Sequence, residues 1–176
     1  MKKLNKKGFT LIELLAVIVI LAILVAVTIP AVTRYLNTAR EGTYQDNAQA
    51  AISVVRNDVI SQFGAATSKI YCLNKACCSK DGAVTTATDA NSCTTAGGTW
   101  NNFSVNDLLE KKLTTSPYGA NYSDTSYVLV ELQTDGSYKY TICITDGTRG
   151  ISANEDVIAT TGVTNFEECP KPAAAQ

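Results

Sequence analysis

The 176-residue chain contains no histidine. That absence removes Ser-His and Cys-His nucleophilic machinery, and every His-ligated metal site, at once. The sequence carries no nucleotide-binding motif, and its cysteines lack the paired C-x-x-C spacing usual for a thiolate zinc site. It offers no candidate catalytic residue, cofactor-binding residue or metal ligand. Positive charge is scarce beyond the first few residues. Lys2, Lys3, Lys6 and Lys7 are four of the 15 cations, so from residue 9 onward 11 Lys and Arg face 16 Asp and Glu, a net charge of −5. A mildly acidic chain argues against a broad nucleic-acid-binding surface.

What the sequence does have is a long apolar stretch near its start, KKGFTLIELLAVIVILAILVAVTIP, residues 6–30. From Leu14 to Thr33 there are 20 consecutive residues without a formal charge. At about 1.5 Å per residue such a run crosses the ~30 Å hydrocarbon core of a bilayer as a helix. Basic residues before the run and few after it predict a cytoplasmic N-terminus, with the bulk of the chain outside. Glu13 lies four residues after Phe9, inside the apolar stretch, where a carboxylate costs on the order of 2.5–3.5 kcal/mol at a helix centre and marks function. A cut after Gly8 would turn Phe9 into a free ammonium one helical turn from Glu13, a spacing at which the two charges pair within or between chains. An ordinary secretory signal is the plain alternative. Its apolar core is usually 7–15 residues, its cut follows small residues, and it has no reason to keep a glutamate. Here Ala26 and Ala31 lack a small-x-small pattern, and Pro30 adjoins the second.

Beyond the span, Ala48, Ala51, Ile52, Val55, Val59 and Phe63 recur at helical steps, predicting that one helix runs from Phe9 to Ser61. Its length, about 80 Å, exceeds what one small domain accommodates, so the first half is expected to span the membrane. Pro30 is expected to kink or loosen this helix, and Gly42 is a milder weak point. Regular periodicity is missing from Gly64 until Val105–Leu113, where Ser104 or Asn106 caps a short helix containing Leu108, Leu109 and Leu113. Four cysteines in this region, Cys72, Cys77, Cys78 and Cys93, form two disulfides by one of three pairings. Six cysteines in a small domain fit an oxidising compartment. SYVLVEL and YKYTICIT, joined through Asp135-Gly136, read as a β-hairpin with Val128, Val130 and Leu132 facing the helix. A third strand is expected around 156–160 or 163–166. The fold class is therefore α+β, with a long N-terminal helix packed through its second half on a small antiparallel sheet and with disulfide-stapled loops.

The segment Gly8-Phe9-Thr10-Leu11-Ile12-Glu13-Leu14-Leu15, preceded by a short basic leader, resembles the N-terminus of type IV pilins and their pseudopilin relatives. The resemblance covers about 30 residues; past Ser61 it is architectural only. It implies a leader of residues 1–8 removed by a prepilin peptidase after Gly8, with N-methylation of Phe9. It implies a transmembrane and filament-core segment of residues 9–33, and an extracellular head of residues 34–176. In that family the glutamate at the position of Glu13 recruits and registers each subunit, and a proline at the place of Pro30 lies in a segment that melts on packing. Pilins often close a C-terminal loop with a disulfide, and Cys143 and Cys169 have a similar spacing.

The function implied is that of a structural subunit of a type IV pilus, serving adhesion, twitching motility or DNA uptake. Its partners are other copies of the chain, the peptidase and the assembly machinery of the cytoplasmic membrane, with nucleic acid met only through the assembled filament. The chain resides in that membrane before assembly and in the surface pilus afterwards. A minor pilin or a pseudopilin of a secretion or competence system is the nearest alternative, and a membrane-anchored exported enzyme is the alternative from another class. Pseudopilins of secretion systems can hold calcium in a region comparable to the Asp146, Asn154, Glu155 and Asp156 loop, but the spacing matches no EF-hand and reads as a solvated loop. Tyr118, Tyr122, Tyr127, Tyr138 and Tyr140 read as a subunit contact, a ligand surface or ordinary sheet residues.

Overall fold

The computed structural model describes residues 9–62, 69–80, 83–85, 87, 89–110 and 112–170. The chain divides into two compact units, Met1–Ala39 and Arg40–Gln176. One helix, α1 (Leu11–Ser61), contributes to both. It starts two residues later than periodicity alone predicts, because Thr10 serves as its cap: the Thr10 carbonyl accepts the Leu14 N–H at 3.3 Å, the first bond of the helix. The helix continues through Pro30. In the first unit every residue from Phe9 to Ala39 is exposed.

The second unit follows the period of α1. Tyr44, Ala48, Ala51, Ile52 and Val55 are its buried residues, spaced by three and four along one stripe. Val59 is partly buried against the same core, and Phe63 lies outside the described residues. Residues off the stripe tie the helix down by polar contacts. Arg56 pairs with Glu155 and lies 5.2 Å from the Tyr140 ring centroid, and the Tyr71 hydroxyl donates to Asp58 at 2.7 Å.

After α1 come the strands β1 (Lys69–Cys72), β2 (Cys77–Lys80), β3 (Ala83–Val84), β4 (Thr99–Asn101), β5 (Tyr127–Leu132), β6 (Tyr138–Thr145) and β7 (Gly150–Asn154). Two short helices, α2 (Ala90–Thr95) and α3 (Val105–Leu108), flank β4 in sequence, and a 3-10 helix, Glu155–Thr160, follows β7. The main sheet is antiparallel with order β1-β5-β6-β7. In the β5–β6 hairpin Val128 faces Ile142 and Val130 faces Tyr140 across the strands. The Asp-Gly turn closes it, with Gly136 at φ 83°, a conformation glycine adopts without steric cost.

Period-2 alternation sends these side chains to two cores. Val128, Val130, Tyr140, Ile142, Ile144 and Ile151 join the stripe of α1. Tyr127, Leu129 and Cys143 point the other way and are covered by Ile70, Phe166 and Cys169. A side chain at position 150 would run into the Phe166 ring and the Ile144 carbonyl, so glycine is what lets the C-terminal segment lie close on β7. A second, three-stranded sheet has the order β3-β2-β4.

Three expectations need correction. The third strand of the hairpin sheet is Gly150–Asn154, not 156–160 or 163–166. Ile151 and Ala153 alternate inward there, whereas residues 155–160 coil as a 3-10 helix and Thr164 makes a single bridge to Gly150. The capped helix stops at Leu108. Ser104 is its cap, with a reciprocal bond pair to Asp107, while Asn106 spends its carboxamide on the Leu113 backbone. The apparently irregular stretch before it contains β1, β2, β3, α2 and β4.

Candidate functional site

The residues around the start of α1 form a closed local arrangement. Thr10 N–H and Thr10 Oγ1 both donate to Glu13 Oε2 at 2.8 Å, and Glu13 N–H returns a bond to Thr10 Oγ1 at 3.3 Å. This is a capping box: a threonine before the first helical residue and a glutamate three positions on satisfy each other's donors. Two of the helix's otherwise orphaned backbone donors are served by two side chains, and the carboxylate also lies at the positive end of the helix dipole. Both bonds fall on Oε2. Among the described residues Oε1 accepts none.

The T-x-x-E spacing that produces the box is plain in the sequence, although the charge of Glu13 draws attention first. Phe9, just outside the helix, is 84% exposed. Gly8, the other residue of the expected cut, lies outside the described residues.

From Leu11 onward the helix presents apolar side chains on every side, and none of its apolar window is buried. It is the only helix among the described residues long and apolar enough to cross a membrane. Pro30 cannot donate a backbone bond, so the regular ladder loses one donor there. Two hydroxyls bracket the gap: Thr28 Oγ1 donates to the Val25 carbonyl at 3.3 Å and Thr33 Oγ1 to the Ile29 carbonyl at 2.9 Å. Such back-bonding keeps the hydroxyls satisfied where no water is at hand.

All six cysteines are bonded: Cys72 to Cys77, Cys78 to Cys93 and Cys143 to Cys169. Neighbours in β2, Cys77 and Cys78 bond in opposite directions, one to the end of β1 and one to α2. Cys143, at the middle of the sheet, holds the C-terminal segment through Cys169, and Tyr127 adds a hydroxyl bond to the Pro170 carbonyl at 3.0 Å.

The acidic loop does not converge. Asp146 is buried and accepts from the Ser116 hydroxyl and from the N–H groups of Thr148 and Arg149, Asn154 accepts from the Thr141 hydroxyl, and Glu155 pairs with Arg56. Among the described residues no group of His, Cys, Asp and Glu is placed to hold a metal ion. The tyrosines belong largely to the interior: Tyr122, Tyr127 and Tyr140 are buried, Tyr118 and Tyr138 half-buried. Burial pushes the Tyr122 phenol up to about 12, and raises Tyr44 and Tyr71 as well.

Residues 3–29 match the family model for the prokaryotic N-terminal methylation motif. Followed by the long apolar helix, that motif is the type IV pilin-like signature. No curated protein and no solved structure matches the chain.

Proposed function

We propose that this chain is the structural subunit of a type IV pilus, cut after Gly8 by a prepilin peptidase, N-methylated at Phe9 and polymerised through α1. The observation that carries the reading is Glu13, a carboxylate on an otherwise apolar helix, with one oxygen held by Thr10 and the other open. The cap belongs to Thr10 and not to Phe9, so removing residues 1–8 leaves it in place and creates an ammonium next to it. In lipid, apolar spans gain little by merely leaving the acyl chains, and helix association there depends on close packing and polar contacts. An ammonium from the Phe9 of a neighbouring copy, seated on Glu13 Oε1, supplies such a contact. It neutralises two charges that are each costly alone in a low-dielectric setting.

On this reading residues 9–33 are the membrane span before assembly and the filament core after it, with Pro30 marking the place where the helix yields on packing. Residues 34–176 form the surface-exposed head, stapled by its three disulfides. The partners are other copies, the peptidase and the assembly machinery of the cytoplasmic membrane. The chain does its work as a polymer, in adhesion, twitching motility or DNA uptake, and catalyses nothing itself. Mass spectrometry of the chain purified from its host tests the first step. The expected mature terminus is N-methylated Phe9; an intact Met1, or a terminus beyond Ala22, refutes the reading.

A further inference from the structure

A cleft of about 360 Å³ opens on the second unit, between the loop after β1, helix α3 and the loops around residues 114–124. Its volume falls at the small end of the range for small-molecule sites. The lining is unusual for such a site: among the described residues no aliphatic side chain contributes, and three carboxamides, two carboxylates, Thr114 and Tyr122 face the cleft.

Much of that wall is fixed by bonds to the fold. Asn106 holds the Leu113 backbone with both ends of its carboxamide, and Asn74 donates to the Tyr122 carbonyl at 2.6 Å. Asp107 accepts from Ser104, and Asp124 accepts from Lys75 at 2.8 Å. Other groups on the same wall are unspent. Among the described residues the Asn74 carbonyl oxygen, the Thr114 hydroxyl and the Asn121 amide nitrogen have no partner, and Thr114 and Asn121 are exposed.

The chemistry narrows the ligand. Two carboxylates disfavour an anion, and the Lys75 ammonium holds the Asp124 carboxyl below the usual carboxylate range, so its charge persists at neutral pH. The same ammonium, together with the helix cap that occupies Asp107, leaves no set of convergent charged oxygens for a divalent ion. A purely apolar ligand would leave the unspent polar groups desolvated without partners. What fits is a neutral molecule dense in hydroxyls, each able to donate to a carboxylate or carbonyl and accept from an amide.

We propose that this cleft is a saccharide-binding site, with Asn74, Thr114, Asn121 and Asp124 bonding the hydroxyls. The proposal goes beyond the filament reading and is tested without assembly, so either can fail alone. The full-length chain in detergent micelles is passed over immobilised methyl glycosides of glucose, galactose, mannose, N-acetylglucosamine and N-acetylgalactosamine, and in parallel over immobilised spermine. Retention on at least one glycoside is expected, falling tenfold or more in the combined variant Thr114→Val, Asn121→Ala, whose substitutions both lie at exposed positions. Side-chain amide resonances of Asn74 and Asn121 in the wild-type chain should shift with the retained sugar, a readout that does not depend on the variant folding. Three results overturn the proposal: no glycoside is retained, retention is unchanged in a folded variant with the amide resonances unmoved, or spermine is retained in place of the sugars.

Discussion

The two parts of α1 obey opposite rules. From Leu11 to Ala39 no side chain is buried and the hydrophobic residues face all round; from Tyr44 to Val55 only one stripe is buried, on a sheet of the same chain. A helix that is apolar all round is stable only inside something else, a membrane or a bundle, whereas an amphipathic one carries its partner with it. The second unit has a core and three disulfides of its own, whereas the first has no cysteine and, among its described residues, no buried side chain. The information for folding on the chain's own sheet and the information for lying in a membrane or a bundle are thus written in different registers along one helix.

The sharpest way to break this contrast is at Glu13. Glu13→Gln keeps the capping box, because glutamine serves at that position as glutamate does, but it removes the charge. If the charge matters to packing, both Glu13→Gln and Glu13→Ala lose about 3–5 kcal/mol per subunit, about two to nearly four orders of magnitude in assembly, with insertion and cleavage after Gly8 unimpaired. Surface filaments counted against membrane-retained subunit give the answer. Rescue by glutamine would reduce Glu13 to a helix cap, and normal filaments from the alanine variant would remove it from assembly altogether.

The disulfides should matter to the second unit alone, and unequally. Opening Cys143–Cys169, whose partners are 26 positions apart, should cost about 3.5 kcal/mol in the loop-entropy picture, against about 2 for Cys72–Cys77, five apart. Urea titrations of the paired serine variants measure both. Equal losses would show that loop length does not govern stability here.

The same substitution on either side of the divide comes next. Ile52→Ala empties a fully buried site and should cost about 3 kcal/mol. Ile20→Ala, at a position 58% exposed, should leave the melting of the second unit unchanged. A loss from both would mean that the two units fold together.

The smallest effect is expected in alkali. Burial raises the Tyr122 phenol to about 12 from an unfolded value near 10. Its neutral form therefore contributes stability that is complete below pH 10 and is lost as the pH rises through 12. Tyr44 and Tyr71 shift in the same direction, so phenolate absorbance should rise together with loss of near-ultraviolet circular dichroism. Full ionisation by pH 10 with structure retained would contradict the packing of these rings.

How much of this is legible in the sequence differs by region for physical reasons. The span, the stripe on α1 and the β5–β6 hairpin announce themselves through charge-free length, period 3.6 and an Asp-Gly turn between alternating residues. The strand Gly150–Asn154 carries a weaker two-point alternation, Ile151 and Ala153, and is outcompeted by the more apolar Val157-Ile158 that follows. β1, β2 and β4 are three or four residues long, and β1 and β2 are held by sulfur bridges as much as by apolar faces, so periodicity has too few points to register. At the candidate site the charge of Glu13 is visible at once, while its bond to Thr10 is a matter of spacing. The cleft escapes entirely, because its walls come from segments about 50 residues apart.

The sulfur bridges also decide how the chain would carry load. Tension applied along the polypeptide would pass from Cys72 directly to Cys77, across one peptide bond to Cys78, on to Cys93, and later from Cys143 to Cys169. Residues 73–76, 79–92 and 144–168 are short-circuited on that path and cannot be paid out as slack. The second unit, stretched by its ends, would reach its covalent limit long before its contour length suggests. A nick after Lys75 or Lys80, both inside closed rings, would not part the strand.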